Sequence, residues 1–256
     1  MTTTRPSLHL LNFGRMRWDL GNMVPGHLDG TWGSIPFPGF LITGSEGRRV
    51  LIDSGPDRRH IAEPWFDQPP DAPVRQEMQL ELVPEDDPEV QLDACGLSPQ
   101  DIDVVVVTHT HFDHAGNVAL FPNAEPVVHR DVYTESIGRQ LPRTDSSAGT
   151  PRYRIIDSDF QLTPEVTLLV TPGHCPGHLS VVVTLPGTGT VILSIDAIYS
   201  RANVTAGVYS VAQDPDQAKR SGDRLLALAR ETGGLLIFGH DMEQWRSLRH
   251  PPEAYY

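Results

Sequence analysis

Residues 102–117, IDVVVVTHTHFDHAGN, set a continuous β-branched run directly against three histidines and an aspartate. The valines read as a strand buried on both faces, and the preceding DPEVQLDACG reads as a helix stopped by Gly96. Helix followed by buried strand predicts a layered α/β fold. Residues two apart in an extended segment point the same way, so His109 and His111 can offer two imidazoles to one cation. Asp113 and His114 follow where the chain must turn, and can face a second. Without metal such groups would be costly to bury at a strand end, and the competing reading is a solvated His-rich loop.

Three more strand ends carry ligand-type residues. VTLLVTPGH ends at His174, TVILSID at Asp196 and LLIFGH at His240. Loops held by a rigid sheet are where an active site in a layered fold belongs. The inventory closes with His109, His111 and His174 on one zinc, Asp113, His114 and His240 on another, and Asp196 bridging both. Nitrogen and oxygen donors without thiolate suit zinc, with cobalt, manganese and iron chemically open. His178 competes with His174 for a ligand role; His174 directly follows the strand and turn, so His178 is assigned supporting hydrogen bonds. His9, His27, His60, His129 and His250 lack partners at ligand spacing.

Elsewhere the first third reads as short strands, SLHLLNFG, MRWDL, FPGFLITG and RRVLIDSG, with Gly and Pro at the joins. The loop between Leu20 and Pro38 carries Met23, Val24, Trp32, Ile35 and Phe37, which either wall a pocket or pack onto the core. Residues 56–84 are Pro-rich and acidic, read as loop with a short helix. Beyond the histidine motif come a helix near Ala115 to Phe121, a strand at EPVVH, a helix from Arg130, a polar loop between Gln140 and Arg152, and a hairpin joined by PGTG. Asp214, Pro215 and Gly233 bound the clearest helix.

The 256 residues are read as one domain, 1–256. The formal charge of -13 opposes nucleic acid and anionic membranes. No early apolar segment resembles a secretory signal and no run is long enough to span a bilayer. Two cysteines supply no disulfide framework, which predicts a reducing cytoplasm. Cys95 is read as core, and Cys175 as a bystander rather than a reactive thiol.

HxHxDH, then TPGH, the strand-end Asp and a last GH, resembles the ligand set of the metallo-β-lactamase superfamily over almost the whole chain. HTHFDHAGN, TPGHCPGH, SIDAIY and FGHDMEQ are most similar to the N-acyl-homoserine lactonases that quench bacterial quorum signals. The resemblance implies a four-layer αβ/βα sandwich with two Zn2+ per chain along one edge of the two sheets. It implies a small-molecule lactone substrate, opened by a hydroxide bridging the metals, in a monomer or homodimer. Tyr199, matched through DAxY, becomes a phenol that contacts the lactone and stabilises the oxyanion, and Asp113 shuttles the proton to the leaving oxygen. Phe112 would line the metal-side pocket; Trp65 and Phe66 are candidates for gripping an acyl chain, and Trp32 for the substrate loop.

Hydrolysis of another lactone, such as a pyridoxine-derived ring, or of a thioester would share the same ligand frame. A β-lactamase would more often carry Cys at Asp196, and a nuclease member would need a basic insertion that this acidic chain lacks. The reading from a different class is a non-catalytic metal-binding sensor. Turnover of a lactone panel by metal-loaded protein separates the two.

Overall fold

The computed structural model describes residues 4–136, 141, 153–209 and 212–256. The expected loop between Gln140 and Arg152 therefore lies, residue 141 apart, outside the described residues. Among the described residues twelve strands form two sheets. The larger is ordered β4-β1-β2-β3-β5-β6-β7, from β1 (Ser7–Asp19), β2 (Trp32–Thr43), β3 (Arg49–Ile52), β4 (Met78–Glu81), β5 (Val104–Val107), β6 (Glu125–His129) and β7 (Arg154–Ile156). The smaller is β12-β11-β10-β9-β8, from β8 (Phe160–Gln161), β9 (Val166–Val170), β10 (Leu179–Leu185), β11 (Gly189–Leu193) and β12 (Leu235–Ile237).

The period-two alternation of strands explains the layering. In β5, Val104 and Val106 join the core between the sheets with Leu8, Phe40, Ile52, Leu168 and Val181. Val105 and Val107 face the other way, into a second core with Leu51, Leu92 and Val132. A third core sets Leu169 and Ile192 of the small sheet against Leu225 and partly buried Leu226 and Ala229. The result is helix, sheet, sheet, helix. All four valines are no more than 1% exposed, each contributing roughly 1.5–3 kcal/mol over an exposed side chain.

The helices are α1 (Arg59–Ala62), α2 (Val74–Glu77), α3 (Pro88–Asp93), α4 (Arg130–Ser136), α5 (Arg201–Ala206), α6 (Pro215–Thr232) and α7 (Met242–Ser247). The bounds expected for α6 hold: the Asp214 carboxylate accepts from Gln217 N–H, Pro215 starts the helix, and Gly233 ends it. Other expectations change. SLHLLNFG and MRWDL are one strand, β1, with a register shift between Asn12 and Arg15. The stretch from Ala115 to Phe121 holds only a 3-10 turn, Val118–Leu120, because the Asn117 amide is committed to the carbonyls of Ser54 and Pro56. The Pro-rich acidic stretch contains two short helices, α1 and α2, and then the edge strand β4, paired with β1 through Arg15 and Glu81. In the Leu20 to Pro38 loop the chain becomes strand already at Trp32. There Met23, Val24, Ile35 and Phe37 are buried in the second core, and Met23, Val24 and Ile35 also line a cavity that reaches His240.

β3, β5, β6 and β7 run parallel. In the small sheet β9, β11 and β12 also share one direction, since β10 is antiparallel to both β9 and β11, and β12 is parallel to β11. Every ligand-type segment follows the carboxyl end of one of these strands, the usual place for a site in an open α/β sheet.

Candidate metal centre

The segment leaving β5 brings His109, Asp113 and His114 into the interior, with His111 exposed at the mouth. His174 arrives after β9, Asp196 after β11 and His240 after β12, all buried. These seven gather into two groups of donor atoms, one of His109, His111, His174 and Asp196, the other of Asp113, His114 and His240. In the first, His174 Nε2 lies 3.2 Å from His109 Nε2 and 2.9 Å from His111 Nδ1. Asp196 Oδ2 is 3.5 Å from His109 Nε2 and 3.4 Å from His174 Nε2. Donors about 2.0–2.1 Å from a tetrahedral zinc would stand about 3.3–3.4 Å apart. Asp196 turns its other oxygen to the second group, 3.3 Å from His114 Nε2 and 3.1 Å from His240 Nε2. Asp113 Oδ2 lies 3.5 Å from His114 Nε2 and 3.8 Å from His240 Nε2.

The donor chemistry fits a pair of cations. Ring nitrogens that converge on one another present lone pairs with no hydrogen to share, and among the described residues buried His114 Nε2 meets no partner in good hydrogen-bonding geometry. Burial pushes His109 well below its ordinary pKa, helped by the charge of His114, leaving a neutral imidazole. Burial would do the same to His114, but Asp113, Asp196 and Asp53 overcome it and hold its pKa well above the usual range. Burial would raise Asp196, yet His114, His240 and His109 keep it ionised, well below the ordinary carboxylate range.

Supporting hydrogen bonds aim the rings. Asp53, at the end of β3 with φ 59°, is 1% exposed and accepts from the His114 Nδ1–H at 2.8 Å. It also accepts the Thr108 N–H and hydroxyl at 2.9 and 2.8 Å, so one carboxylate sets both the start of the motif and the His114 ring. His240 Nδ1 donates to Pro36 O at 2.9 Å, which turns Nε2 toward Asp196. A Cβ on Gly239 would stand 2.4 Å from Ile195 O, so the Gly before His240 permits the close approach of the two ligand-bearing segments.

His178 takes the expected supporting role. Its Nε2 accepts from Asp196 N–H at 3.2 Å and its Nδ1 lies 3.1 Å from Thr171 O; burial pushes it down to about 3, keeping the ring neutral. Cys175 is buried and its thiol is pushed up to about 12 by burial, which makes it a poor nucleophile.

Tyr199 joins the cluster, its Oη 3.2 Å from His174 Nδ1 and its ring 5.1 Å from that of His240. Burial, with the charges of Asp196 and Asp113, raises its pKa well above the usual value, so the phenol keeps its proton. Phe112, between His111 and Asp113, packs edge-on against Phe37 at 5.6 Å and at a tilt against Trp65 at 4.8 Å. Phe66 instead lies on His60 at 4.7 Å, beneath the Arg59 guanidinium. Trp32 opens β2 opposite Asp19 and is 43% exposed, and among the described residues no ring contact ties it to the cluster. The Asp53 contribution was missed; an Asp-Ser-Gly at the end of the predicted strand RRVLIDSG was the signal for it.

The sequence pattern of the Metallo-beta-lactamase superfamily matches residues 39–240. An N-acyl homoserine lactonase of Bacillus thuringiensis is 31% identical over 251 residues, spanning 98% of this chain and 99% of that protein. The N-acyl homoserine lactonase AttM of Azorhizobium caulinodans is 30% identical, spanning 97% and 98%. A solved N-acyl homoserine lactone hydrolase with the product N-hexanoyl-L-homoserine bound at its catalytic metal center superposes with a TM-score of 0.84, at 28% identity and full coverage of both chains. A B. thuringiensis AiiA mutant with N-decanoyl-L-homoserine at its active site matches equally, with a TM-score of 0.84. With the sandwich, the seven converging donors and full-length likeness in agreement, this chain belongs to the metallo-beta-lactamase superfamily and, within it, to the family of the N-acyl homoserine lactonases.

Proposed function

We propose that this protein is a dizinc hydrolase that opens the ring of N-acyl homoserine lactones, and that residues 1–256 work as one catalytic unit. The observation that carries the reading is Asp196, whose two oxygens face two separate groups of donors beside the Tyr199 phenol. His109, His111 and His174 would hold one ion, Asp113, His114 and His240 the other, and Asp196 both. Bound there, the ions supply a nucleophilic water at neutral pH and polarise the lactone carbonyl.

The protein's own part is positioning and proton control. Asp53, His178 and the Pro36 carbonyl keep the donors aimed, so little reorganisation accompanies the reaction. Tyr199, protonated in its buried setting, donates to the lactone oxygen as negative charge grows on it. The Asp113 carboxylate takes up the proton that the attacking water gives up and passes it to the departing ring oxygen, which leaves as an alcohol. Phe112 and Trp65 form the apolar wall beside the motif. The acidic chain favours an uncharged acyl lactone over a polyanion. A cytoplasmic location belongs to the same proposal, supported by two free cysteines, one of them buried.

The test is ring opening, read by mass as the gain of one water, with zinc-loaded protein and a panel of acyl-homoserine lactones, simple γ- and δ-lactones, a pyridoxolactone and thioesters. Preferred turnover of the acyl-homoserine lactones is expected. Preference for another member reassigns the substrate, and no turnover with both ions bound leaves a binding protein.

A further inference from the structure

Arg75, at the start of α2, makes an unusual set of bonds. Its guanidinium donates to four backbone carbonyls of one turn: Pro69 O from Nε at 2.9 Å, Pro64 O from Nη1 at 3.0 Å, and Trp65 O and Gln68 O from Nη2 at 2.6 and 2.8 Å. Among the described residues no carboxylate forms an ion pair with it. The planar fork of an arginine can satisfy acceptors spread around it, whereas the three N–H groups of a lysine leave from a single atom.

The turn so gathered contains Trp65, held at φ 56°, a left-handed conformation that bulky L residues rarely adopt. Three further contacts fix this residue. Its backbone N–H donates to His60 Nδ1 at 3.1 Å, its indole Nε1–H donates to Met78 O at 2.7 Å, and its ring packs on Phe112 at 4.8 Å. Trp65 is 6% exposed. Phe112 lies in the chain between His111 and Asp113, so the wall that Trp65 makes is one side chain away from the metal donors. Strain at Trp65 is sustained only where surrounding bonds outweigh it, and Arg75 supplies the largest single group of them.

We propose that Arg75 is a positioning residue for substrate selection: by clamping residues 64–69 it holds the Trp65 indole against Phe112 as a rigid wall on which the acyl chain of the lactone packs. The proposal rests on the acyl-homoserine lactone reading for its substrate. A rigid wall favours long chains, since each methylene packed on it adds apolar contact, and a loose wall forfeits that contact to ordering cost. A short chain offers the wall few methylenes, so it loses little when the wall loosens.

The experiment compares zinc-loaded wild type with Arg75→Lys and Arg75→Ala on butanoyl- and decanoyl-homoserine lactone, alongside zinc content and tryptophan emission. Both variants should raise KM for the decanoyl substrate about tenfold, equivalent to the contact of one or two methylenes, with KM for the butanoyl substrate changed less than about twofold and kcat on both retained. Emission should shift to the red in Arg75→Lys, and the shift should vanish when Trp65→Phe is already present. If Arg75→Ala fails to fold, Arg75→Lys carries the comparison. Unchanged KM for both substrates, or an equal rise for both, overturns the proposal. If wild type opens no acyl-homoserine lactone, the functional reading falls and substrate selection with it, while the emission shift still decides whether Arg75 holds Trp65.

Discussion

Asp196 directs Oδ2 toward His109 and His174 and Oδ1 toward His114 and His240, and the histidines in turn keep it ionised. Tyr199 differs in kind, because it can be removed without taking away a donor. Tyr199→Phe is expected to retain both ions and lower kcat by about a hundredfold, the usual effect of losing one oxyanion donor, as measured by lactone turnover beside metal analysis. Wild-type turnover would remove Tyr199 from the mechanism. Asp53 acts at one remove. Asp53→Asn should weaken metal binding about ten- to a hundredfold, read by competition with a chromophoric chelator, because a neutral amide cannot match the carboxylate that orients His114. The seven donors were legible from residue type and strand-end spacing. Asp53 was not, since a single strand-end aspartate has no pattern until its partner 61 positions away is seen against it.

At the scale of elements, long or continuous signals were readable and short ones were not. α6 has a capping residue, Pro at its start and an apolar face over three turns, so its bounds follow from sequence. Its cap also reaches the site: Asp214 N–H donates to Gly173 O and Gln213 N–H to His174 O, tying the start of α6 to the turn that carries His174. Asp214→Ala is expected to cost about 1 kcal/mol, seen as a lower denaturant midpoint at unchanged slope. No change in midpoint would mean that the turn holds the helix start unaided. β4, β7 and β8 run to at most four residues, too few for an alternation to emerge, and exist because a neighbouring strand offers them partners. The helix expected near Ala115 was lost to the opposite effect, a strong tertiary demand on Asn117.

Across the whole molecule the two donor groups draw on both sheets: β5 of the larger sheet supplies four donors, while β9, β11 and β12 of the smaller supply three. Metal held by these donors would therefore tie the layers together. Stripping it with a chelator should lower the thermal midpoint by about 5–10 °C, from the loss of binding at a free metal level about a hundredfold above Kd, and zinc should restore it. An unchanged midpoint in calorimetry, with metal analysis confirming removal, would deny that the centre bridges the sheets. The sequence by itself determined the donor types, their order and the buried strands that end in them, because periodicity and local spacing are properties of neighbouring residues. Only the tertiary structure decided that Asp53 orients His114, that Trp65 rather than Trp32 lies on Phe112, and that Arg75 gathers the turn behind it. Those contacts join segments whose separation along the chain is unrelated to any repeat, so no local pattern encodes them.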